Sequence, residues 1–127
     1  MATDSIQERD IGGVTILAVD RRLKGSLEWL LKERIDELVR KGRLQIVVDL
    51  KQVPYVDSSE IGRLIRAHIS VRRAGGRVRL CNLSEKVSAV LRMSKLDTVL
   101  DLYETEEEAL GSLLESETRK NPTTRAE

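Results

Sequence analysis

Few residues in this chain have the means to do chemistry. Asp57, Ser58, Ser59 and Glu60 stand in one run, and His68 and Cys81 are the sole histidine and cysteine. A nucleophilic serine needs a base within hydrogen-bond reach, and a carboxylate is a poor one without a positioned histidine. His68 follows Ser58 by ten residues, which on one helix is about 15 Å of rise and beyond contact. One cysteine and one histidine make no recognised metal-ligand set. Gly12-Gly13 and Gly75-Gly76 lack the rest of a phosphate-loop or dinucleotide motif. These residues argue against an enzyme, and no metal or cofactor is expected.

The Asp-Ser-Ser-Glu run gains interest from its place in the chain. It follows the most apolar stretch, Leu44 to Leu50, and the short loop Val53-Pro54-Tyr55-Val56. Beyond it Ile61, Leu64, Ile65 and Ile69 recur at helical spacing, so the run begins a helix expected over about Ser58 to Ala74. Two readings meet there. In one, Asp57 and Glu60 form a D-x-x-E capping box and the serines fill the first turn. In the other, a serine at the positive end of the helix dipole accepts a phosphate, and the added charge rewrites the surface around it. Arg63, five residues past Ser58, is a candidate to border that phosphate or an acidic partner.

Around this run the chain alternates strand and helix. Gly12-Gly13 is a plausible hairpin turn between a weak strand at Ser5 to Asp10 and the β-branched run Val14 to Val19. Leu27, Leu30, Leu31, Ile35, Leu38 and Val39 outline an amphipathic helix capped by Ser26 and stopped by Gly42. Trp29 lies beside that face, either packed at its edge or offered to a partner. Leu44 to Leu50 reads as the central strand. Arg77 to Cys81 alternates as a strand with one polar face, nearer a sheet edge. A short helix follows with Ser84 as its cap, then a last strand over Thr98 to Tyr103. Thr105 and Glu108 have capping-box spacing before a final helix carrying Leu110, Leu113 and Leu114. His68 reads as a packing residue on the apolar stripe. The expected fold is α/β, a mixed and mostly parallel four- to five-stranded sheet with about four helices.

The run Val56-Asp57-Ser58-Ser59-x-Ile61-Gly62, placed after Ile46-Val47-Val48-Asp49-Leu50, resembles the STAS domain, the family of sulphate transporters and anti-sigma-factor antagonists. The likeness runs from about the first strand to the last helix and includes Gly75-Gly76 and Glu107-Glu108-Ala109-Leu110. One departure is Glu60, where the family commonly has glycine. In bacterial antagonists of the family, the serine directly after the aspartate is phosphorylated by a partner kinase. The resemblance thus makes Ser58 the phosphoacceptor, with Asp57, Ser59, Glu60, Ile61, Gly62 and Arg63 as supporting or partner-binding residues. It implies a serine-kinase anti-sigma factor as partner, a serine phosphatase as a second, and release of a sigma factor as the outcome. Two alternatives remain: a non-switching STAS scaffold subunit in a stress-sensing or lipid-transport assembly, and a sensor of a nucleotide or other small ligand.

Composition sets the bounds. At 127 residues the chain is expected to form one STAS-like domain over 1–115, with a polar, disordered tail over 116–127. Hydrophobic residues make up 40% and charged ones 34%, as in a soluble globular protein. With no Phe, one Trp and two Tyr, the core must be built from Leu, Ile and Val. A net charge of +1 gives no pull toward nucleic acid. No apolar run approaches the roughly 20 residues of a membrane-spanning helix, and the N-terminus lacks the features of a signal peptide, so a cytoplasmic location without membrane insertion is expected.

Overall fold

A computed structural model describes residues 6–20 and 27–120. The expected Ser26 cap, the side chain of Trp29 and residues 121–127 of the tail lie outside the described residues. The elements are β1 (Ile6–Ile11), β2 (Val14–Asp20), α1 (Leu27–Arg40), β3 (Gln45–Gln52), α2 (Ser58–Arg73), β4 (Arg77–Cys81), α3 (Glu85–Met93), β5 (Asp101–Tyr103) and α4 (Glu106–Lys120), with a 3-10 turn at Leu96–Thr98. The five strands lie in sequence order, β1 antiparallel to β2 and the other pairs parallel.

That order decides where the helices go. Three successive crossovers step across the sheet in one direction, and right-handed crossovers then place α1, α2 and α3 on the same face. Side-chain alternation feeds each face separately. Leu17, Val19, Ile46, Val48 and Leu80 meet Ile35, Leu38, Leu64, Val71 and Leu91 in the larger core. On the other face Val14, Ile16, Val47 and Cys81 meet Ala109 and Leu113 of α4. Each large aliphatic side chain so buried contributes about 1.5–3 kcal/mol, which compensates for the scarcity of aromatics.

The glycine pairs act where the chain must turn. Gly12 and Gly13 have φ of 57° and 87° in the β1–β2 hairpin. After α2, Gly75 adopts φ 95°, and its amide and that of Gly76 bond the carbonyls of Arg72 and Val71. A side chain at Gly76 would place Cβ 2.2 Å from the Leu44 carbonyl oxygen. The pair thus ends α2 and lets β4 start hard against β3.

Two elements differ from the sequence reading. The last strand covers only Asp101–Tyr103, because Leu96 to Thr98 coils into the 3-10 turn and Leu100 drops into the core. β4 lies one strand in from the edge, between β3 and β5, and its polar side is covered by α4 rather than left to solvent. There Arg79 is bound by Asp101 at 2.7 Å and Ser112 at 3.1 Å, and stacks over Tyr103 at 5.6 Å.

Candidate functional site

The site grows from the end of β3. Strand pairing stops at Gln52, and Val53 turns inward, 1% exposed, with its amide on the Leu50 carbonyl at 2.9 Å. Pro54 and Tyr55 then lie on the surface, Tyr55 half exposed, before Val56 tucks against the core. Asp57 is extended, with φ −98° and ψ 178°, the geometry of an N-cap.

The capping box at α2 is complete. The Asp57 carboxylate accepts the Glu60 amide at 2.9 Å, and the Glu60 carboxylate accepts the Asp57 amide at 2.9 Å. The Ser59 hydroxyl also donates to Asp57, at 3.1 Å. Two orphan amides of the helix start are therefore met by two carboxylates, which also balance the dipole. Glu60 is folded into this arrangement and buried, 9% exposed, rather than standing out as a surface charge.

The other expected site residues divide by face. Ser58, first in the helix, is exposed, and Gly62 lies one turn below it. A Cβ at Gly62 would meet no atom within 4 Å, so the fold leaves open space there. Ile61 points into the core. Arg63 is about 140° round the helix from Ser58 and lines a cleft against α1 with Lys32, Leu31 and Glu60.

Two contacts escape any local reading. The Ser84 hydroxyl donates to the Pro54 carbonyl at 2.8 Å while accepting the Val87 amide at 3.1 Å as the cap of α3. Asp49 is buried, accepting the Lys51 amide at 2.9 Å and the Asn82 side-chain amide at 3.1 Å. Its place just ahead of the apolar positions Val87, Val90 and Leu91 marked Ser84 as a cap, but nothing local signalled its second partner.

The remaining reactive groups are subdued. Cys81 is fully buried, and loss of solvation, then the nearby Asp49, push its thiol up to about 12. Such a thiol is inert at neutral pH. His68 is 6% exposed, and burial lowers its pKa against the opposing pull of Asp101; Arg72, Arg79 and Arg77 lower it further. Among the described residues no group of three potential ligands could hold a metal ion, and no helix is long and apolar enough to cross a membrane.

Comparison with known proteins agrees with this geometry. Residues 5–109 match the STAS domain model, and the chain belongs to that family. It is 26% identical over 102 residues to an anti-sigma F factor antagonist of Paenibacillus polymyxa, covering 80% of this chain and 87% of that one. It is also 29% identical over 73 residues to an anti-sigma-B factor antagonist of Bacillus subtilis, covering 58% and 66%. The fold superimposes on the crystal structure of the Thermotoga maritima protein TM1081 with a TM-score of 0.77 and 29% identity, over 84% of this chain and 92% of the other. The chain is thus a homologue of anti-sigma factor antagonists.

Proposed function

We propose that this protein is an anti-sigma factor antagonist whose binding is controlled by phosphorylation of Ser58. The observation that carries the reading is the open face at the start of α2. Ser58 is exposed there and Gly62, one turn on, leaves room for a partner to come close to the helix. Capping by Asp57 and Glu60 holds that face ready without any phosphate. In the cytoplasm, a serine-kinase anti-sigma factor docks on it, and sequestering that factor frees a sigma factor. The kinase supplies ATP and catalysis, while this chain supplies the acceptor and the surface.

A phosphate on Ser58 adds about −1.5 to −2 charges at pH 7. That charge would stand beside two carboxylates and be pressed into an interface, where an uncompensated charge is costly. The complex separates, and a serine phosphatase resets the surface. The test is affinity for the kinase: Ser58→Asp should weaken binding at least tenfold relative to Ser58→Ala. Equal affinities would remove the charge mechanism.

A second reading draws on the same capping box. Because Glu60, where the family commonly has glycine, locks the helix start with its carboxylate on the Asp57 amide, the protein would serve as a non-switching scaffold subunit. Stable co-purification in a large particle, indifferent to Ser58→Ala, would favour it.

A further inference from the structure

We propose that Ser84 is a positioning residue for the loop that presents Ser58, joining the start of α3 to the loop between β3 and α2. The inference rests on the reading of Ser58 as acceptor for its functional meaning, though not for its geometry. The loop is held at both ends: the Val53 amide bonds the Leu50 carbonyl, and the Asp57 amide bonds the Glu60 carboxylate. Between those points Ser84 reaches in from another element, thirty positions along the chain, and takes the Pro54 carbonyl at 2.8 Å. Pro54 has no amide proton, so its carbonyl is its one backbone hydrogen-bonding group.

The bond is directional in a way that a cap alone does not require. A helix cap needs only an acceptor, and at α3 the Ser84 oxygen accepts the Val87 amide at 3.1 Å. Pro54 needs a donor. A hydroxyl is both at once, whereas an ionised carboxylate only accepts. Aspartate at this position would therefore keep the cap and lose the loop. Threonine would keep both, and alanine neither. Through this hydroxyl the start of α3 and the loop between β3 and α2 become one rigid surface, with half-exposed Tyr55 and Ser58 on the segment it steadies.

The experiment is amide hydrogen exchange on the full chain, with Ser84→Asp, Ser84→Thr and Ser84→Ala beside the unaltered protein. Exchange at Val53 and Asp57 reports the loop, and exchange at Val87 reports the cap. In Ser84→Asp the loop amides should exchange about three- to tenfold faster while Val87 keeps its protection. Ser84→Thr should restore the loop, and Ser84→Ala should lose protection at both places. Unchanged loop exchange in Ser84→Asp would overturn the proposal. Phosphate carried at Ser58 in the host, read by intact mass in the same series, should fall in Ser84→Asp and recover in Ser84→Thr. Undiminished phosphate with a loosened loop would overturn the positioning role. Absence of phosphate from the unaltered protein would instead fail the switch reading, and the exchange rates would still decide on Ser84.

Discussion

Helices α2 and α4 both open with a capping residue followed three positions later by glutamate, Asp57 with Glu60 and Thr105 with Glu108. At α2 the two residues bond each other's amides, each at 2.9 Å. At α4 Thr105 accepts the Glu108 amide at 3.1 Å, but the Glu108 carboxylate passes its partner and takes the Glu104 amide at 3.3 Å. The α4 start is steadied instead from outside, where Arg9 binds Glu106 at 2.6 Å. One spacing therefore yields two mechanical results. The start of α2 carries a reciprocal pair of bonds and leaves Ser58 outward, whereas the start of α4 has a one-sided cap and an ion pair to β1. A face that receives a partner benefits from the first arrangement, because both bonds of the box lie within the first turn of its own helix.

The comparison is broken most forcefully at the glutamates. Glu60→Gly removes a reciprocal bond and puts glycine in the first turn, together about 2 kcal/mol of stability. Thermal unfolding should drop by about 8 °C. Glu108→Gly, losing a longer and exposed bond, should cost about half as much. If the switch reading holds, Glu60→Gly should also raise the rate of Ser58 phosphorylation, since a carboxylate leaves the acceptor's neighbourhood. Stability and phosphorylation would then move in opposite directions at Glu60, and only stability would move at Glu108.

Each helix also carries an interior glycine with no atom within 4 Å of a Cβ, Gly62 in α2 and Gly111 in α4. Alanine at either should stabilise the protein by about 0.5–1 kcal/mol, measured by urea unfolding. Gly62→Ala should in addition weaken kinase binding, because its methyl group occupies space one turn from Ser58. Gly111→Ala is the control that should leave binding unchanged. Equal binding by both variants would mean that the open face of α2 is not where the partner approaches.

The smallest effect separates the helices by pH. His68, on the buried side of α2, has a folded pKa below its ordinary value of 6.5, mainly through burial. The folded state therefore resists a proton that the unfolded chain accepts. Its neutral form leaves stability intact above about pH 6.5, and stability declines as pH falls through that value toward the lower folded pKa. Replacing it, as in His68→Gln, should flatten this part of the stability profile in chemical unfolding between about pH 7.5 and 5.5.

Much of this was legible in local sequence. D-x-x-E marked the α2 start because the capping partners are three residues apart, and Gly75-Gly76 marked its end because a tight exit needs them. The alternation of apolar strands with amphipathic helices gave the sheet its parallel character. What stayed hidden depends on residues distant in sequence. Arg79 looked like edge-strand polarity until Asp101 and Ser112 came to meet it across two other elements. Thr98 to Leu100 carries strand-like residues, yet the 3-10 turn closed by Leu96 claims the segment. The Ser84–Pro54 bond links two loops that only the sheet brings together.

The most direct test of the central claim is the intact mass of the protein from its own host, before and after phosphatase, beside Ser58→Ala. The account predicts one added phosphate that phosphatase removes and that Ser58→Ala never carries. A protein free of phosphate through growth and stress, or phosphate that persists in Ser58→Ala, would contradict it.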